Sequence, residues 1–384
     1  MDAVAAYDLT KEYNGQSVLA GLNLQVPQGE LFACVGEKGC GKTTLIRLLS
    51  GLAKPTAGEC TVLGFSPHHE PQRLHMVAGT VLESAKLYKG MTLWENLRFF
   101  AGLHGMDDND SLERSSFLLH KLDIWEGRDF PVENLTTGVI RRASLARALM
   151  HSPKILLADE SSAGLDQETA EAIQNLISCV AQEEGLTLFL CSSNMAYAQK
   201  LCSNFAILKQ GALLAKGDLE SLREGAGVNY RAQLRLAEDS PAPAGFQWIN
   251  GVWEKELKVE TDMPKIIAQA VGEGLSLYEA RLIRPTLKEI YTAWLEGRRR
   301  KVVEDHETDG ESQEIGACWE KKQEQFPEGD AGEESLGEIP EELFSGEDSA
   351  GEIPEELYFG EESPGEVPTN SEELQDPGDP GEEI

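Results

Sequence analysis

Apolar residues in the first part of the chain gather in short unbroken blocks, as in Leu31-Phe32-Ala33-Cys34-Val35, Ile155-Leu156-Leu157-Ala158 and Thr187-Leu188-Phe189-Leu190. Blocks of that length predict buried strands, whereas Leu45-Ile46-Arg47-Leu48-Leu49 has helical spacing. The pattern changes after Gly217-Asp218-Leu219. Tyr230, Ala232, Leu234 and Leu236 alternate with polar residues, which predicts a half-buried strand. Phe246 to Ile249 and Leu257 to Glu260 flank the turn Asn250-Gly251 as two more strands, and Leu275 to Leu282 reads as another. Met263 to Val271 and Thr286 to Leu295 have helical spacing. Residues 229–296 thus read as a compact α/β module behind a larger α/β domain.

Beyond residue 301 the apolar positions thin out and a period of about fourteen residues takes over. Gly337-Glu338-Ile339-Pro340-Glu341-Glu342-Leu343 returns as Gly351-Glu352-Ile353-Pro354-Glu355-Glu356-Leu357, then in decayed form as Gly365-Glu366-Val367-Pro368. Pro and Gly interrupt any helix, like charges repel, and too little apolar surface is present to offset the entropy of ordering, so a disordered tether over 301–384 is expected. Its apolar points, such as Ile339, Leu343 and Tyr358, offer short motifs for a partner.

Charge follows the same division. The chain carries a formal −32, but residues 302–384 hold 29 Asp and Glu against two Lys, which leaves residues 1–301 at −5. The folded part is nearly neutral, so a basic surface for nucleic acid is not expected. Seven scattered cysteines without paired metal spacing fit a reducing compartment. No apolar run approaches the ~20 residues of a membrane-spanning helix, and no secretory leader pattern opens the chain.

The chemistry is concentrated after the first apolar block. Gly36-Glu37-Lys38-Gly39-Cys40-Gly41-Lys42-Thr43-Thr44 is a phosphate-binding loop between a strand and a helix. Its glycines let main-chain N–H groups face phosphate oxygens, Lys42 brings positive charge to the β- and γ-phosphates, and Thr43 ligates Mg²⁺. Cys40 reads as a small tolerated side chain within it. Asp159 and Glu160 end a later strand, the first placed to hold Mg²⁺ and the second to act as general base on an attacking water.

These pieces and those between them resemble the nucleotide-binding subunit of ABC transporters over residues 1 to about 220. Leu9 to Gly15 with Val18 to Leu22 look like the family's opening strand, and Tyr13 like the aromatic that stacks on adenine. Gly58-Glu59 and Leu63-Gly64 follow the usual phrasing, Met91 to Leu97 resembles the start of the helical subdomain, and Leu145 to Leu149 the helix after the signature. Ala163-Gly164-Leu165-Asp166 matches the loop that crosses the dimer interface. The resemblance implies an ATP-binding P-loop NTPase core of ABC type over residues 1–222, with antiparallel β and helical subdomains, the latter about 92–150. It also implies ATP and Mg²⁺ as ligands, Thr44 among the phosphate contacts, and Thr136, Gly138 and Asp166 as residues that meet nucleotide across a dimer.

Three positions depart from the family pattern. The signature reads Leu135-Thr136-Thr137-Gly138-Val139 in place of Leu-Ser-Gly-Gly-Gln, and a branched Thr137 would cost about 1–2 kcal/mol if its backbone needed positive φ. Glu83 stands where the lid glutamine lies; it can still ligate Mg²⁺ but cannot donate a hydrogen bond when ionised. Ser193 replaces the switch histidine, and no histidine lies between His151 and His306. Nucleotide binding is expected to survive and hydrolysis to be slow.

Residues 223–300 resemble the accessory α/β domain of ATPase subunits serving ABC-2-type exporters, through Arg284-Pro285-Thr286-Leu287-Lys288-Glu289-Ile290-Tyr291. Arg298-Arg299-Arg300-Lys301 is expected to close the last helix, where positive charge is favourable. The implied protein is an exporter's ATPase subunit, a homodimer or a heterodimer, on the inner face of the cytoplasmic membrane beside a permease carried on another chain. The alternative is a nucleotide-gated regulatory or scaffolding subunit.

Overall fold

The computed structural model describes residues 1–308 apart from 83–86, 161–166 and 238, with the side chains of Glu160 and of residues 298–308 also outside the description. Glu83, Asp166 and its loop, and the repeats after residue 308 therefore lie outside the described residues.

The chain opens with β1 (Asp2–Tyr13), β2 (Gln16–Pro27) and β3 (Leu31–Val35), followed by helix α1 (Lys42–Leu49), β4 (Ala57–Val62), the short α2 (Pro71–His75) and β5 (Ala78–Val81). Three helices come next, α3 (Leu93–Leu103), α4 (Asp108–Lys121) and α5 (Thr137–Leu149). The core resumes with β6 (Ile155–Glu160), α6 (Gln167–Glu184), β7 (Thr187–Ser192), α7 (Met195–Leu201), β8 (Asn204–Lys209), β9 (Ala212–Asp218) and α8 (Leu219–Ala226). Two sheets result. An antiparallel one has the order β2-β1-β4, and a six-stranded one has the order β5-β6-β7-β3-β8-β9, parallel except for its last pair.

The unbroken apolar blocks have a direct cause in this layering. In the central strands Phe32 and Cys34, Ile155 and Leu157, and Phe189 and Cys191 join one core, while Ala33 and Val35, Leu156 and Ala158, and Leu188 and Leu190 join the other. Both faces of the sheet are covered, so neither set of alternate residues can be polar. The rings of Phe32 and Phe189 stack at 5.6 Å on the face toward α1.

The helical segment is held by local chemistry legible in its sequence. Thr92 and Glu95 form a reciprocal capping box at the start of α3. Fully buried Asn96 accepts from Tyr88 N–H at 2.8 Å and donates to the carbonyls of Tyr88 and Thr92 at 3.0 and 2.9 Å. At the far end, His104 after α3 stacks on His151 after α5, with ring centroids 3.8 Å apart and planes 3° from parallel. Burial, then the neighbouring His104, hold the His151 imidazolium down to about 4, with Arg114 and Arg147 acting in the same direction. A histidine whose pKa falls on folding contributes stability that is complete above the unfolded value near 6.5 and lost as pH drops toward the folded value. Stability should therefore fall by roughly 2–4 kcal/mol between pH 6.5 and 4 through this group. His151→Leu should flatten that part of a plot of Tm against pH.

The accessory module comprises β10 (Tyr230–Leu236), β11 (Gln247–Ile249), β12 (Val252–Leu257), α9 (Met263–Gly272), β13 (Leu277–Ile283) and α10 (Leu287–Thr308). Its antiparallel sheet has the order β11-β12-β10-β13, and Tyr230, Ala232, Leu234, Leu257, Met263 and Ile266 form a separate small core. Two expectations need correction. The strand placed at Leu257 to Glu260 begins instead at Val252, because Asn250 and Gly251, at φ 49° and 87°, make a two-residue hairpin turn that returns the chain at once. The last helix does not close at Arg298–Lys301 but continues to Thr308, through residues that include no proline, so the basic run lies inside it and a terminal-dipole role does not apply.

Candidate nucleotide site

The site is assembled at one edge of the central sheet, where strand ends align. In the β-ladders Val35 is opposite Ser192, and Ser192 is opposite Glu160. The phosphate loop, the acidic pair and Ser193 therefore all emerge from the same edge. This is the usual place for ligand chemistry in a parallel sheet, since the loops that leave the strands' C-terminal ends converge there.

Within the loop each glycine answers a different constraint. A Cβ on Gly36 would lie 2.4 Å from the Leu208 carbonyl oxygen and 2.6 Å from Cys40 Sγ, so this position is closed by packing. Gly39 has open space around it but a φ of 81°, and Gly41, at 107°, is both left-handed and crowded by Leu19 and the Val18 carbonyl. Gly41 caps α1, and the first N–H groups of that helix have no intrahelical partners.

Lys42 is buried, with Nζ donating to the carbonyls of Gly36 at 2.8 Å and Glu37 at 2.7 Å and lying 3.6 Å from Cys40 Sγ. Its ammonium is thereby stationed inside the curl of the loop. Thr43, on the exposed side of the first turn, and half-buried Thr44 follow it. Burial raises the Cys40 thiol above its ordinary value, opposed by the Lys42 charge, so the small side chain is kept as a neutral thiol.

The acidic pair is tied to the loop through one intermediary. Asp159 is opposite Cys191 in the ladder, and the Cys191 thiol lies 3.6 Å from the Lys42 carbonyl. Burial drives the Cys191 thiol well above its usual pKa, helped by Cys34 and the Asp159 charge. Sequence reading assigned no role to Cys34 or Cys191; they share the phase of Phe32 and Phe189 in their strands, which is the signal that places them against α1. The described cysteines are all free thiols. Ser193 sits in the turn between β7 and Asn194, whose side chain caps α7 by accepting from Tyr197 N–H at 3.1 Å.

The other expected residues stand on other elements. Tyr13 is at the far end of β1, exposed, with Lys11 Nζ 4.8 Å above its ring. Thr136 caps α5, its hydroxyl accepting from Val139 N–H at 3.4 Å. Thr137 is the first residue of α5 and is not among the residues with positive φ. The positive φ that would have strained a branched side chain is absent, since Thr137 already lies in the first turn of the helix. Gly138 lies in the same first turn, also without positive φ.

A cavity of about 610 Å³ opens between the helical segment and the sheet, walled by Leu156, Ile173, Leu188 and Leu190 and edged by Arg141 and Asp159. None of residues 36–44 lines it, so this apolar space is distinct from the phosphate loop.

The comparisons agree with this construction. The family model described as ABC transporter matches residues 19–163. The chain is 30% identical over 217 residues to the bacitracin transport ATP-binding protein BcrA of Bacillus licheniformis, covering 56% of this chain and 70% of that relative. It is 25% identical over 307 residues to the uncharacterized ABC transporter ATP-binding protein YdbJ of Bacillus subtilis, covering 79% of this chain and 96% of YdbJ. A solved structure of an ATP-binding subunit of an ABC transporter superposes with a TM-score of 0.55 at 26% identity, over 59% of this chain and 94% of that one. The chain belongs to the ABC transporter ATP-binding family. Its ligands are accordingly ATP and Mg²⁺, and the loop fits them: a closed curl of main chain, a buried ammonium at its centre and a free helix start beside it.

Proposed function

We propose that this chain is the ATP-binding subunit of an ABC exporter, in which nucleotide binding is retained and hydrolysis is slow. The observation that carries the first half is the Lys42 ammonium held within the loop by the Gly36 and Glu37 carbonyls. Gly36, Gly39, Cys40, Gly41, Thr43 and Thr44 would form the main-chain cradle, with Tyr13 under the adenine. Thr43 and Asp159, with Glu83, would hold Mg²⁺, which supplies charge neutralisation for the phosphates. Glu160 would accept the proton of the attacking water. Thr136, Gly138 and Asp166 would meet nucleotide bound to a second subunit.

The second half rests on Ser193. A hydroxyl there can neither carry the positive charge of an imidazolium nor shuttle a proton near neutral pH. Ground-state contacts are kept while one transition-state contact is lost, a change that lowers kcat more than affinity. The permease would be a separate chain: among the described residues no helix is long and apolar enough to cross a membrane. BcrA and the linearmycin resistance ATP-binding protein LnrL, 25% identical over 299 residues, are named for the handling of antibiotics, which favours the exporter class. Residues 1–222 would form the ATPase domain and 223–300 the body of the accessory domain, whose last helix runs on to Thr308, with the acidic tether after it.

The same substitution supports a second reading, a nucleotide-gated regulatory subunit. Measuring Mg-ATP affinity and steady-state turnover on one preparation, with and without the membrane partner, separates the two. Tight binding with slow turnover that the partner accelerates supports the exporter motor; no turnover even beside the partner supports the regulatory reading. Failure to bind Mg-ATP removes both.

A further inference from the structure

One side of the accessory sheet ends in an open strand. In the order β11-β12-β10-β13, β13 stands last and, among the described residues, pairs with β10 alone. The main-chain N–H and C=O groups along its other edge are a template for a further strand. Folded proteins usually guard such an edge with charge. Here Ala280 and Leu282 pack toward the small core that holds Met263 and Ile266 of α9, so the alternate residues Glu279 and Arg281 lie on the opposite face. Their side chains are 40% and 65% exposed and form an ion pair with each other.

Those two charges repel a chance neighbour but are complementary to themselves. Turned about a two-fold axis at Ala280, an antiparallel second β13 sets Glu279 opposite Arg281 and Arg281 opposite Glu279. The same register sets Tyr278 opposite Leu282. Tyr278 is 73% exposed and has no opposite residue on β10, where the pairing shifts between Arg235 and Leu236. Leu282, with Met263, Ile267 and Ala268, lines a groove of about 550 Å³ between α9 and β13, which the Tyr278 ring of a second copy can enter.

We propose that a second copy of this chain adds to the accessory sheet edge to edge through β13, so that the four strands of each copy continue into one sheet. The inference goes beyond the nucleotide site: the contact uses no residue of the phosphate loop and needs no ATP. One strand pair is at the low end of interface sizes, so the association is weak alone and strengthens when another contact brings two copies near each other.

The test uses the full chain without nucleotide, followed by sedimentation velocity at concentrations up to about 1 mM, as a weak contact requires. Wild type should self-associate reversibly. Glu279→Arg and Arg281→Glu should each weaken self-association at least about tenfold, because each sets like charges opposite one another twice. An equal mixture of the two variants should associate as well as wild type, which an ion pair within one chain cannot explain, since each variant lacks that pair. Oxidative cross-linking reads the register, with the tail thiol removed by Cys318→Ser. Ala280→Cys should link two chains, since residues on the axis have Cα atoms about 4.5–5.5 Å apart, within disulfide reach. Ile283→Cys, about 20 Å from its copy, should not link, and this comparison decides alone if a charge variant fails to fold. A chain that stays monomeric and gives no link through Ala280→Cys overturns the inference. So does self-association that survives both single reversals, equal linking at the two positions, or pairing at β13 only when the membrane partner is added. Mg-ATP titration of the same samples tests the proposed function separately, so either can fail while the other stands.

Discussion

Ser193→His should raise steady-state ATP turnover by between about a hundredfold and a thousandfold while leaving Mg-ATP affinity within about twofold. A positioned acid or base contributes typically ~10²–10⁴ in rate, and the lower part of that range applies because the signature and the lid position also differ from the family pattern. The new imidazole would leave the sheet edge where Val35, Glu160 and Ser192 are in register, in a turn whose shape is already set by Asn194 capping α7. Initial rates with saturating Mg-ATP, compared with a binding isotherm, check this result. A parallel change in rate and affinity would instead mean that the substitution rearranged the loop. No change in rate would mean that something other than Ser193 limits hydrolysis.

Gly36→Ala should abolish measurable nucleotide binding and destabilise the domain by about 1–3 kcal/mol, whereas Gly39→Ala should leave a folded protein with weakened binding. The two glycines fail for different reasons. An added Cβ at position 36 meets the Leu208 carbonyl oxygen at 2.4 Å, and that carbonyl belongs to β8, whose ladder with β3 would have to open. At position 39 the space is free and only the φ of 81° resists a side chain, a conformational penalty of roughly 1–2 kcal/mol. Thermal unfolding together with Mg-ATP titration of both variants distinguishes steric from conformational control of the loop.

The features legible in the sequence were those fixed by neighbours in the chain. The phosphate loop is set by its own glycines and Lys42, and β3, β6 and β7 announce themselves because burial on both faces leaves no room for polar alternation. Thr92, Glu95 and Asn96 likewise act within a few residues of one another. What remained hidden depends on distance or on local geometry that composition does not encode. The start of β12 is set by two left-handed residues at 250 and 251, and the apolar pattern alone did not separate strand from following chain. Strain at Thr137 was conditional on a positive φ, which the sequence does not encode; the residue instead opens α5 behind the capping hydroxyl of Thr136.

Most of the chain's net negative charge lies beyond residue 308, outside the described residues. The nearly neutral remainder contains every residue assigned here to nucleotide.

Equilibrium titration of the purified chain and of Lys42→Ala with Mg-ATP tests the central claim most directly. The wild type should bind saturably, and the variant should lose at least about a hundredfold in affinity, because a buried ammonium facing phosphate is replaced by a methyl group. Equal retention of nucleotide by the two proteins would contradict the account, since the curl formed by Gly36, Glu37 and Lys42 would then not be where ATP is held.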